Sequence, residues 1–155
     1  MKIACIAIGK KHDPLLAAAI DDYTARLRHY APLHWQLIPS SPGKMSQAET
    51  KRVQTALLQE KLQDDDYIVL LDESGTQLTS HGLADILDRL DGQAVQRIVF
   101  VVGGAYGVTD ELKRRADVLW SLSKLTFPHQ LVRLLLAEQL YRANTIRRGE
   151  PYHHE

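Results

Sequence analysis

Ile98-Val99-Phe100-Val101-Val102-Gly103-Gly104-Ala105-Tyr106-Gly107 runs from five β-branched or aromatic residues straight into a glycine cluster. The apolar run predicts a buried strand, and the glycines predict a tight turn at its carboxyl end. Thr109, with Asp110 and Glu111 behind it, then caps a short helix. The same unit recurs outward in both directions. Ile3 to Ile8 reads as a first buried strand ending at Gly9, with Asp13 as N-cap and Pro14 at the first position of a helix reaching about Tyr30. Leu33 to Ile38 is a second strand, and Ser46 with Glu49 forms a capping box that opens a helix to about Leu62. Tyr67 to Leu71 is a third strand, followed by a polar turn from Asp72 to Thr76 and a helix whose Leu83, Ile86, Leu87 and Leu90 share one face. Val118 to Leu122 is a fifth strand, and His129 to about Arg147 the last helix. Strands alternating with longer helices predict an α/β fold, a mainly parallel sheet flanked by helices.

The chain has 155 residues, about one domain's worth, so a single domain over residues 1–155 with one core is expected. With 45% hydrophobic and 25% charged residues, disordered and fibrous classes are excluded. No apolar run approaches the roughly 18 residues of a membrane span, and the N-terminus lacks a signal-peptide core, which implies a cytoplasmic protein without membrane contact. Cys5 lies alone in an apolar run and reads as a small buried hydrophobe. The formal charge of zero conceals segregation: residues 1–60 carry net +3, residues 61–120 net −5 and residues 121–155 net +2. Without a basic excess, a nucleic-acid substrate has to be recognised locally and by shape.

Two loops at strand ends are candidate ligand sites. Gly103 to Gly107 lacks the G-x-G-x-x-G order of dinucleotide binders and the G-K-[ST] ending of a P-loop, so it reads either as a plain turn or as a close backbone approach to a ligand. Leu122-Ser123-Lys124-Leu125-Thr126-Phe127-Pro128-His129 connects a buried strand to a buried helix, either as a simple linker or as part of a site at the sheet's carboxyl edge. The loop from Pro39 to Lys44 is a candidate mobile element. Within the last helix, Glu138 and Arg142 are spaced for an i,i+4 ion pair, whereas Arg133 has no such partner; a phosphate-facing role is expected for Arg133 and Arg142. Leu131, Val132, Leu134, Leu135, Leu136, Ala137 and Leu140 make this helix apolar around more than one stripe, which implies burial on two sides and a two-fold homodimer. His153 and His154 are adjacent and point to opposite sides of an extended segment, so no metal is expected. Tyr152 and His153 suit base stacking and phosphate contact.

Taken together, Leu71-Asp72-Glu73-Ser74-Gly75, the Phe100 to Gly107 stretch, Ser121 to His129, Arg133 to Ala143 and Pro151-Tyr152-His153 closely resemble the ribosomal RNA large subunit methyltransferase H family over the whole chain. The resemblance implies a SPOUT fold with a C-terminal deep trefoil knot, an obligate homodimer and S-adenosylmethionine as cofactor. It implies methylation of N3 of a pseudouridine in 23S rRNA, at the subunit interface of the assembled ribosome. A SPOUT enzyme acting on tRNA and a non-catalytic ribosome-binding factor are the alternatives. Carried over, the cofactor site comprises Leu71, Gly103, Leu122, Ser123, Lys124, Leu125, Thr126 and Phe127. On the substrate side the resemblance implies that Arg142, Tyr152 and His153 position the target nucleotide across the dimer interface, and Arg133 joins them through the phosphate-facing role expected of it. His129, Glu138 and Arg142 are the expected catalytic residues, with His129 and Glu138 as proton acceptors beside solvent or the nucleotide's own ionisation. His154 stands where the family commonly has a basic residue, which implies a pH-sensitive contact there.

Overall fold

The computed structural model describes residues 1–40 and 43–154, and among them five strands form one sheet. These are β1 (Lys2–Ile8), β2 (Leu33–Ile38), β3 (Tyr67–Gln77), β4 (Arg97–Val102) and β5 (Val118–Ser121), in the order β2-β1-β4-β3-β5, with every neighbouring pair parallel. The helices are α1 (Ala17–Leu27), α2 (Gln47–Gln59), α3 (Ser80–Gly92), α4 (Asp110–Arg115) and α5 (His129–Arg147). The pleat explains why the strand sequences are unbroken apolar runs. Ile3, Cys5 and Ala7 of β1 face a layer built from α1, α3 and α5, while Ala4, Ile6 and Ile8 face Leu58 of α2 and Leu112 of α4. Both faces are covered, so both sets of side chains must be apolar. Each fully buried Leu or Ile contributes about 1.5–3 kcal/mol relative to exposure. No helix among the described residues is long and apolar enough to cross a membrane.

Several boundaries differ from the sequence expectation for local reasons. Asp13 and Pro14 form a turn before α1: the Asp13 carbonyl accepts from Leu16 N and Ala17 N, and its carboxylate accepts from Leu15 N at 2.8 Å. Asp13 N itself donates to Gln130 Oε1 of α5 at 3.0 Å, so α5 sets where this turn lies. The capping box at α2 forms as expected, with Ser46 Oγ accepting from Glu49 N. The helix ends at Gln59, short of Leu62, because Lys61 N and Leu62 N donate three residues back and tighten the chain. Thr109 precedes α4 without capping it through its side chain; its N–H donates instead to Thr55 Oγ1 of α2 at 3.1 Å. Part of the Pro39 to Lys44 loop, at Ser41 and Pro42, lies outside the described residues.

The largest difference is β3. Asp72 to Thr76 is not a turn leading out of the sheet: Leu71 and Thr76 both pair with Trp120, so the chain leaves β5, bulges outward over residues 72–75, and re-enters the same ladder through Gln77. This bulge, the end of β4 and the end of β5 lie together at the carboxyl edge of the sheet. The helices that leave β3 and β4, α3 and α4, pass to opposite faces. A crevice opens at such a switch point.

Candidate active site

The crevice is a cleft of about 620 Å³. Its walls come from the β3 bulge (Leu71 to Ser74), the glycine loop after β4 (Val102 to Val108), the loop after β5 (Ser121 to Ser123 and Leu125 to Pro128) and the start of α5 (His129, Val132), with Lys51 and Lys113 at the side. The glycine loop is a closed turn: Gly107 N donates to Gly104 O at 3.1 Å, and Gly107 has φ +76°. A Cβ on Gly103 would stand 3.0 Å from Val108 Cγ1, and one on Gly104 would strike the Gln54 amide behind the loop at 2.2 Å. Both glycines therefore bring the wall close to α2 and to the loop's own return. In the loop after β5, Ser121 Oγ donates to Ser123 O at 2.8 Å, and Leu125 N donates to Ser123 Oγ at 3.0 Å. In the bulge, the Asp72 carboxylate accepts from Ser74 N and Ser74 Oγ and lies 3.6 Å from Lys113 Nζ.

Leu71, Gly103, Leu122, Ser123, Leu125, Thr126 and Phe127 all line this one cleft, as does His129. Lys124, expected beside them, is exposed and is not among the lining residues. Burial first, and then the positive charge of Arg133, push the pKa of His129 below its ordinary value. The imidazole is therefore neutral at neutral pH. The bulge carboxylates Asp72 and Glu73 and the lysines Lys51 and Lys113 were not singled out from sequence, because Asp72 to Thr76 looked like an ordinary polar turn.

Arg142, Tyr152 and His153 meet elsewhere, around Glu138. Glu138 Oε1 accepts from Arg142 Nε at 2.9 Å and from Tyr152 Oη at 3.1 Å and is ion-paired with Arg142 Nη2 at 2.7 Å, while Oε2 accepts from Gln139 Nε2 at 2.8 Å. Arg142 Nη1 stands 3.1 Å from His153 Nδ1, its guanidinium lies 4.7 Å above the Tyr152 ring, and the Tyr23 hydroxyl of α1 is 3.5 Å from that of Tyr152. Burial, followed by the bond to Tyr23, raises the Tyr152 pKa, so the phenol remains a donor. His154 is exposed. Along α5, Glu138 is about 13 Å and Arg142 about 20 Å beyond His129 at 1.5 Å per residue, so one chain does not assemble the three expected catalytic residues.

Arg133 corrects the sequence reading. Its side chain is fully buried, and its guanidinium donates to the carbonyls of Ile8 (2.7 Å), Gly9 (3.1 Å) and Lys11 (3.0 Å), with Nη1 3.3 Å from His12 Nδ1. These acceptors at the end of β1 take up both Nη groups, and Nε is buried, so the guanidinium does not face an external phosphate. Gly9, at φ +113°, is what lets the backbone wrap the group, since a Cβ there would lie 2.8 Å from Nη2.

Residues 1–153 match the family described as "Predicted SPOUT methyltransferase". The chain is 43% identical over 157 residues to "Ribosomal RNA large subunit methyltransferase H" of Parabacteroides distasonis, covering 100% of both proteins. It is 44% identical over 155 residues to the protein of the same name from Geobacter metallireducens, covering 99% of each. Among solved structures, a probable methylase family protein from Haemophilus influenzae Rd KW20 superposes with a TM-score of 0.52 over 99% of this chain and 70% of that one. At 14% identity that likeness concerns the fold.

Proposed function

The chain belongs to the ribosomal RNA large subunit methyltransferase H family of SPOUT methyltransferases, and from that premise we propose that it transfers a methyl group from S-adenosylmethionine to N3 of a pseudouridine in 23S rRNA of assembled ribosomes. We take it to act as a single-domain cytoplasmic homodimer with the knotted C-terminal region of its superfamily. The observation that carries this reading is the convergence of Leu71, Gly103, Leu122, Ser123, Leu125, Thr126 and Phe127 on one cleft at the carboxyl edge of the sheet.

The cleft suits the proposed donor. Its volume lies within the range of about 300–1,000 Å³ typical of small-molecule sites. Leu71, Val102, Leu122, Phe127 and Val132 supply apolar walls for a flat heterocycle, and the loops after β4 and β5 offer backbone groups for its polar edge. Asp72 is paired with Lys113 at the side of the cleft, and Glu73 adds a further carboxylate to the same wall. When bound, the donor supplies an electrophilic methyl group carried on a sulfonium. The chain's own tasks are to orient the acceptor base, exclude water and receive the N3 proton. For that proton, neutral His129 on the cleft wall is better suited than Glu138. The Glu138 carboxylate is engaged by Gln139, Arg142 and Tyr152 and does not line the cleft. Glu138 instead fixes Arg142 and Tyr152, and through Arg142 the segment bearing His153. Because this cluster and the cleft occupy different stretches of α5, a second copy of the chain is needed to bring them to one acceptor nucleotide.

The test is transfer of labelled methyl from S-adenosylmethionine to assembled ribosomes, separated subunits, free rRNA and tRNA from a strain lacking the gene, with the modified nucleotide located by mass spectrometry. Label confined to an rRNA pseudouridine in assembled ribosomes is expected. Label in tRNA would move the substrate, and no label anywhere would leave a binding factor.

A further inference from the structure

Among the described residues the large apolar side chains most open to solvent are Leu15, Leu125 and Tyr106, and two of the three border the cleft. Tyr106 is 46% exposed and Leu125 69% exposed. They rise from the loops after β4 and after β5. Since the sheet order is β4-β3-β5, those loops flank the β3 bulge from opposite sides. Both are stiff. Tyr106 sits at the tip of the turn closed by the Gly104–Gly107 bridge, and Leu125 is tied through its N–H to Ser123 Oγ. No hydrogen bond or ring contact engages Tyr106 among the described residues, whereas Tyr23, Tyr30, Tyr141 and Tyr152 all make ring contacts.

We propose that Tyr106 is the stacking platform for the acceptor nucleobase, with Leu125 closing on the opposite side of the cleft mouth. This rests on the reading of the chain as a base methyltransferase. The inner cleft, with half-buried Leu71, Leu122 and Val132, has the apolar enclosure a donor's heterocycle needs, so the open rim is left for the ligand that arrives from outside. An unpaired base in an RNA loop exposes two flat faces, and aromatic side chains are the usual partners for such faces. A ring on a short hydrogen-bonded turn stacks at a lower entropy cost than one on a long open arm. Stacking needs no hydroxyl, so Phe serves in place of Tyr.

The experiment uses the full-length protein carrying Tyr106→Ala or Tyr106→Phe, with assembled ribosomes as the probe. Ribosome binding is measured by sedimentation in the presence of S-adenosylhomocysteine, so that no turnover is required. Donor binding to the free protein is measured by calorimetry, and molecular mass by light scattering. Tyr106→Ala is expected to weaken ribosome binding by about 5- to 150-fold, the range seen when a base-stacking aromatic is removed. Donor affinity and mass should be unchanged, and Tyr106→Phe should behave as wild type. Unaltered ribosome affinity in Tyr106→Ala overturns the proposal. So does an equal loss of donor affinity, which would place the ring on the donor wall, or a change in mass, which would place it in a subunit contact. If wild type binds ribosomes but transfers no methyl group, the functional reading fails while the stacking result stands on binding alone. Absence of ribosome binding by wild type overturns both.

Discussion

Gly75 has no space for a side chain: a Cβ there would lie 2.5 Å from Leu119 C and O and 2.6 Å from Trp120 N, all backbone atoms of β5. Backbone in the middle of a ladder does not move aside. Gly75→Ala is therefore expected to cost about 1–3 kcal/mol in urea unfolding, as overpacking does, and to weaken donor binding by displacing the bulge wall. In contrast, Arg133 was misread from sequence for an instructive reason. A lone charge on an apolar helix suggests an external anion, but its acceptors are carbonyls at the end of β1, more than a hundred positions away, which no local pattern reveals. The same group helps to keep His129 neutral, and this sets a pH dependence. The ordinary His value is near 6.5, and the folded value lies below it. Above 6.5 both folded and unfolded forms are neutral, so the shift contributes nothing; as pH falls through 6.5 toward the folded value, the unfolded chain takes up protons first and stability drops. His12, also lowered by burial and by Arg133, acts with the same sign. Melting temperatures between about pH 5 and 7 should therefore fall with acidity, and His129→Asn should flatten part of that slope. An unchanged slope would show that His129 titrates normally.

At the scale of elements, α5 was legible because its limits are local: Pro128 enters it, apolar positions persist through it, and Gly149, at φ +66°, follows its C-terminal end. The full length of β3 was not legible, because Thr76 and Gln77 belong to the strand only through pairing with Trp120 and Ser121. Alternating strands and helices also placed the cleft in advance, since parallel strands gather their carboxyl ends at one edge. The turn after Gly149 brings Tyr152 and His153 back against α5, where Tyr152 meets Glu138 and His153 meets Arg142. Glu138→Gln removes the charge that Arg142 shares with Tyr152 while preserving shape. It is expected to raise KM for ribosomes about tenfold, with donor affinity unchanged, because the tail is loosened and the cleft is not. A fall in kcat at constant KM, with a shifted pH profile, would instead make Glu138 the proton acceptor.

At the scale of the molecule, the cleft begins α5 and the Arg142, Tyr152 and His153 cluster ends it, so the proposed dimer makes a stricter demand than association alone. If each acceptor site takes its cleft from one copy and its cluster from the other, two differently disabled chains must complement. Leu122→Arg places a charge on the cleft wall, and Arg142→Ala empties the cluster; each homodimer alone should be inactive toward ribosomes. A heterodimer of the two, isolated through a different affinity tag on each chain, contains one site in which both halves are damaged and one in which both are intact. Its methyl transfer should recover to about half the wild-type rate per dimer, as two-fold symmetry dictates. A site built within one chain would give no recovery, because every cleft would then face its own damaged cluster or be damaged itself. Measuring that single rate therefore distinguishes a dimer that merely stabilises two independent enzymes from one in which neither copy holds a complete site.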